Sequence, residues 1–155
     1  MAESSSLREI VSTQMKEAMK SGEKTRVGAL RLIMSALKDR EIEARGAGKI
    51  VSRADELALL TKMAKSRQES FDIYKANGRD DLAAQESAEI AVINEFLPKQ
   101  MDEAAVADAA RAAIAEVGAA SIRDMGKVVN ALKAKYPGQM DFARASAIVK
   151  GLLSA

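Results

Sequence analysis

Glu86 and Glu89 form an E-x-x-E pair, a spacing that on a helix puts two carboxylates on neighbouring positions of one face. Such a pair is half of a carboxylate-bridged metal site, but helical bundles complete those sites with histidines, and this chain has none. The alternative is an ion pair. Arg67 interrupts an apolar helical line, needs a counter-ion there, and can take one of the glutamates as a bidentate partner. The ion pair is the expectation, with no metal ligand assigned and no cofactor expected.

The absence of cysteine and histidine rules out several chemistries together: disulfides, thiol nucleophiles, imidazole bases and ordinary zinc sites. None of the serines sits in G-x-S-x-G, and neither a phosphate-binding G-x-x-x-x-G-K-[ST] nor a dinucleotide-binding G-x-G-x-x-G occurs. The charge-dense runs RQES (67–70) and DREIEAR (39–45) read as solvated helix faces. No catalytic residue is recognised.

Cations carry the other chemistry. Residues 1–97 hold 16 Lys+Arg and 16 Asp+Glu, whereas residues 121–155 hold 6 and 2, so the excess gathers at the C-terminal end. Lys127, Lys133 and Lys135 lie on the penultimate helical segment or its end, and Arg144 and Lys150 on the last. They flank the turn in KAKYPGQMD (133–141), where Pro137, Gly138 and Asp141 are explained by turn and cap chemistry but the lysines are not. Lysines at such places suit phosphate contacts, which supply affinity without reading bases.

The elements that must position these residues are helical throughout. Few glycines, prolines and aromatics and abundant alanine predict an all-α protein. Helices are expected near 7–20, 24–45, 53–76 and 80–96, then near 103–117, 122–135 and 142–153. Ser6 with Glu9, Ser52 with Asp55 and Ser121 with Asp124 have the spacing of capping boxes. In the first helix Leu7, Ile10, Val11, Met15, Ala18 and Met19 follow the helical rhythm; in the second, Val27, Leu30, Ile33, Met34, Leu37 and Ile42 do, widened by Ala29, Leu32 and Ala36. Leu97-Pro98 is the expected boundary, because proline disfavours helix at the residue before it. This divides the chain into a four-helix domain over 1–97 and a small three-helix bundle over 98–155. No run of 18 apolar residues exists, and the start MAESSSLREI has an acidic residue where a secretory signal carries a basic one, so a cytoplasmic protein with no membrane contact is expected.

The runs LRLIMSALKDREIEARG (30–46), KSRQESFDIYKANGRDDLAAQESAEIAVINEFLPKQM (65–101) and DMGKVVNALKAKYPGQMD (124–141) resemble those of the GatB/YqeY family of small helical proteins. The resemblance implies two all-helical domains, the second similar to the tail domain of the B subunit of the tRNA-dependent amidotransferase, which helps to hold tRNA. In that pattern Lys133 and Gly138 fit the lysine and glycine of the turn, and Lys150 fits the lysine of the last helix. Gln139 stands where a basic residue often follows the glycine, and Ala145 where a valine is common. The resemblance also implies association with a carbon–nitrogen ligase that uses glutamine as amido-N donor, although the catalytic regions of that enzyme are missing. The expected function is a non-catalytic tRNA-binding or amidotransferase-associated protein, with a protein-interaction adaptor and an accessory ligase part as the alternatives.

Overall fold

The computed structural model describes residues 6–154, and these are all-α as expected: seven α-helices and one 3₁₀ turn, with no strand among the described residues. They group into two compact units, one ending at Leu97 and one beginning at Pro98. The acidic start at Glu3 lies outside the described residues.

The first unit holds α1 (Leu7–Lys20), α2 (Lys24–Gly46), α3 (Arg53–Ala76) and α4 (Asp80–Asn94). Its local starts follow the expected chemistry. The Ser6 hydroxyl accepts the Glu9 amide at 3.2 Å, and Ser52 and Asp55 exchange hydrogen bonds of 3.1 and 3.0 Å, satisfying amides that have no intrahelical partner. After α3 the left-handed residue is Gly78, with φ 70°. The core joins Leu7, Val11 and Ala18 of α1 to Leu30, Ile33 and Leu37 of α2, Leu60 of α3 and Ile93 of α4. α2 buries the most side chains of the four.

Two expectations for this unit need correction. Ile10, Met19, Leu32 and Ile42, counted in the apolar stripes, are exposed, because each helix is covered over a narrower arc than its apolar sequence spans. α4 also stops at Asn94, two residues short of Phe96. The amides of Phe96 and Leu97 bond to carbonyls three residues back, at 3.1 and 3.2 Å, so the chain tightens ahead of Pro98.

The second unit holds α5 (Glu103–Val117), α6 (Met125–Lys135) and α7 (Phe142–Ser154). Asp102 caps α5 by accepting the Ala105 amide at 2.8 Å, and Gly118, with φ 69°, ends it. The segment expected as one helix from 122 begins instead with a 3₁₀ turn, Ile122–Asp124. The Asp124 carboxylate reaches back to accept the amides of Ala120 and Ser121, at 2.9 and 3.4 Å, and this closes the turn before α6 begins. The core is built from Val106, Ala110 and Ala113 of α5, Val128 and Leu132 of α6, Met140, and Ala145 and Val149 of α7. Ala145, at a place where a larger valine is common, is fully buried here.

Candidate functional site

The turn between α6 and α7 is held more firmly than its own residues require. Gly138 is buried with φ 72°, a conformation that disfavours any residue with a Cβ. Its carbonyl accepts the Gln100 side-chain amide at 2.6 Å, and the same amide donates to the Pro98 carbonyl at 2.9 Å. The Met101 amide donates to the Gln139 carbonyl at 2.8 Å, and Met140 is buried in the core. Sequence reasoning missed Gln100 and Met101, because they act on a turn nearly forty residues away and carry no local motif.

All five expected cations are exposed, but they do not form one patch: Lys133, Lys135 and Arg144 lie near this fixed turn, whereas Lys127 and Lys150 lie toward the other ends of α6 and α7. Lys135 lies 3.9 Å from Glu116 and 6.0 Å from the Tyr136 ring centroid, and Arg144 lies 3.0 Å from Glu103. Both carboxylates belong to α5, so these two cations face it. At about 100° per helical residue, Lys133 lies about 160° round α6 from Lys135, and Lys150 about 120° round α7 from Arg144. Lys133 and Lys150 therefore turn away from α5, and among the described residues neither is within ion-pair distance of a carboxylate. Lys127, in the first turn of α6, is likewise without an ion pair among them. The Asp124 carboxyl is held below its ordinary range by the amides of Ala120 and Ser121, with a smaller contribution from Lys127.

In the first unit, Arg67 sits between α3 and α4 and takes both glutamates: Glu86 at 3.4 Å and, more closely, Glu89. Glu89 is buried, and the guanidinium fills the place between the two carboxylates. The E-x-x-E pair is thus engaged as the counter-ion of Arg67, as expected, but not as a bidentate pair with one glutamate: the same nitrogen, Nη1, is shared between one oxygen of each, and the group acts as a strut between two helices. Glu56 is the other buried carboxylate, and burial pushes its carboxyl up.

A family model described as Yqey-like protein matches residues 8–153. Among curated relatives, "Altered inheritance of mitochondria protein 41, mitochondrial" of Candida glabrata is 40% identical over 86 residues, which are 54% of this chain and 45% of that protein. The proteins of the same name from Saccharomyces cerevisiae (strain YJM789) and Eremothecium gossypii are 33% and 31% identical over 86 residues, 54% of this chain and 44% of each. The matched stretch spans less than half the length of these relatives.

These names overturn the cytoplasmic expectation, since all three relatives are named as mitochondrial proteins. That expectation rested on composition and on the first residues, and composition does not separate one aqueous compartment from another. No helix among the described residues is long and apolar enough to cross a membrane. The family is the one that runs 30–46, 65–101 and 124–141 resemble, and with its model matched over residues 8–153 the chain belongs to the Yqey-like protein family.

Proposed function

We propose that the chain is a non-catalytic tRNA-binding protein, in which the α6–α7 hairpin contacts phosphates through Lys127, Lys133 and Lys150. The observation that carries this reading is the sorting of the five cations. Lys135 and Arg144 are engaged by α5 carboxylates, whereas the other three keep their charge for an external anion. The excess of 6 basic over 2 acidic residues in 121–155 supports it, as does the family's relation to the amidotransferase tail domain. The fixed turn helps, because phosphate contacts on a rigid hairpin lose little conformational freedom on binding.

A filter-binding titration against bulk tRNA at two salt concentrations tests the reading, with duplex DNA as control. Changing Lys127, Lys133 and Lys150 together to alanine is expected to lower affinity and to flatten the log–log salt slope by about 3, one for each phosphate no longer neutralised. Changing Lys135 and Arg144 is expected to do less, since each already has a carboxylate partner. An unchanged slope in the triple variant overturns the assignment. A second reading, an accessory role in a glutamine-dependent carbon–nitrogen ligase, draws on the same family relation. It requires that amidation of charged tRNA by the complete enzyme depend on adding this chain.

A further inference from the structure

Seven residues separate Lys24 from Arg31, Arg31 from Lys38, and Lys38 from Arg45, so α2 carries a cation at every heptad along its length. All four are exposed, and among the described residues none is within ion-pair distance of a carboxylate. At about 1.5 Å per residue and about 20° of drift per heptad, they make one nearly straight stripe about 30 Å long. Leu30, Ile33 and Leu37, about 100–160° round the helix from the neighbouring cations, are buried. The equal charge count of residues 1–97 conceals this stripe; of the carboxylates on α2 itself, Glu41 is held by Arg8, while Asp39 and Glu43 are exposed.

Gly28 and Ser35 stand between the cations, themselves one heptad apart. Gly28 does not have a positive φ, and a Cβ there meets nothing within 4 Å, so neither the backbone nor internal packing asks for glycine. Glycine inside a helix costs stability relative to alanine. What it leaves is room for a close approach from outside. Apolar groups accompany the charges: Leu32 and Ile42 are exposed on α2, and Met19 and Val27 line a shallow groove beside Lys24, Gly28 and Arg31.

We infer that this face of α2 docks an acidic amphipathic helix of a partner protein, whose carboxylates repeat every heptad opposite Lys24, Arg31, Lys38 and Arg45. A second helix laid alongside repeats its side chains with the same rise, so its charges stay in register with all four cations. Gly28 and Ser35 admit its backbone, and Met19, Leu32 and Ile42 receive its apolar side chains. A nucleic acid matches the cations alone. It leaves the apolar groups without partners, and α2 has no aromatic side chain on which a base would stack. The inference concerns the first unit and does not depend on the tRNA reading of the second.

The test uses the full chain and a fluorescent synthetic peptide of four heptads with glutamate at one position of each heptad and leucine four residues on. A peptide of the same composition with scrambled order is the control. The heptad peptide is expected to bind at least about tenfold tighter than the scrambled one, and Arg31→Glu with Lys38→Glu to remove that advantage. A peptide with lysines in place of the glutamates is expected to restore binding to the charge-reversed variant. Gly28→Leu keeps every charge and meets open space within the fold, so it is expected to weaken binding while leaving thermal unfolding unchanged or raised. Equal binding of the ordered and scrambled peptides overturns the inference. So does failure of the peptide to bind together with tRNA binding that is lost in Arg31→Glu/Lys38→Glu, which reassigns the stripe to nucleic acid.

Discussion

The carboxylate of Glu56, in the first turn of α3, lies beside the start of α1, where it shares one pocket with the capping residue Ser6. Ser6 satisfies the Glu9 amide, one of those that a helix start leaves without an internal partner. The negative charge of Glu56 also lies at the positive end of the α1 dipole. Burial raises the Glu56 carboxyl above its ordinary value, outweighing the charge of Arg53, which acts in the opposite direction.

That balance has a pH signature. With the native pKa raised above the ordinary 4.5, the folded state holds the Glu56 proton more tightly than the unfolded state does. The Glu56 contribution is therefore most favourable below that value and is lost as pH rises through the raised native pKa. Glu56→Gln keeps an acceptor oxygen and does not titrate, so it is expected to gain stability relative to the parent as pH rises through this window. Glu56→Ala also removes the titrating group and is expected to flatten the same pH dependence. Urea denaturation of the three proteins across mildly acidic to neutral pH checks both outcomes.

Arg67 makes a separate prediction. Removing it as Arg67→Met leaves Glu86 and the buried Glu89 facing each other without a cation, and the destabilisation is expected to be about 2–3 kcal/mol. This is below the cost of breaking a fully buried pair because the guanidinium keeps 22% of its side-chain exposure. Adding Glu89→Gln to Arg67→Met is expected to recover part of that stability. A double-mutant cycle read by chemical denaturation measures the coupling.

Two glycines are expected to respond oppositely to alanine. Gly28→Ala lies in open space within a helix and is expected to stabilise the fold by up to about 1 kcal/mol. Gly138→Ala forces a Cβ into the left-handed region at φ 72° and is expected to cost about 1–2 kcal/mol. Thermal unfolding of the two single variants distinguishes them.

Much of the fold was legible because its determinants are local. Ser6, the Ser52–Asp55 pair and Asp102 mark helix starts through bonds that span three residues, and Gly78 and Gly118 end helices through a backbone preference of their own. The Arg67–glutamate strut was also readable, since an arginine on an apolar line needs a counter-ion. The exposure of Ile10, Met19, Leu32 and Ile42 was not readable, because the helical rhythm marks which side chains share a face but not how wide an arc the neighbours cover. The early stop of α4 and the 3₁₀ turn before α6 differ from the expected ranges by only a few residues. Pro98 and Asp124 decide them through geometry that a periodicity does not carry.

By itself, then, the sequence determined the all-α class, most of the helix starts and stops, and the gathering of positive charge toward the C-terminal end, each a property of short windows or of composition. Only the tertiary structure decided which charges stay available. Lys135 and Arg144 are drawn to α5, Lys133 and Lys150 are turned away from it, Gln100 secures the Gly138 turn, and Glu56 is placed beside the start of a helix some fifty residues earlier. The physical reason is that hydrogen bonds and ion pairs act over a few ångströms in space. Residues far apart in the chain become partners only once helix packing has brought them within that reach.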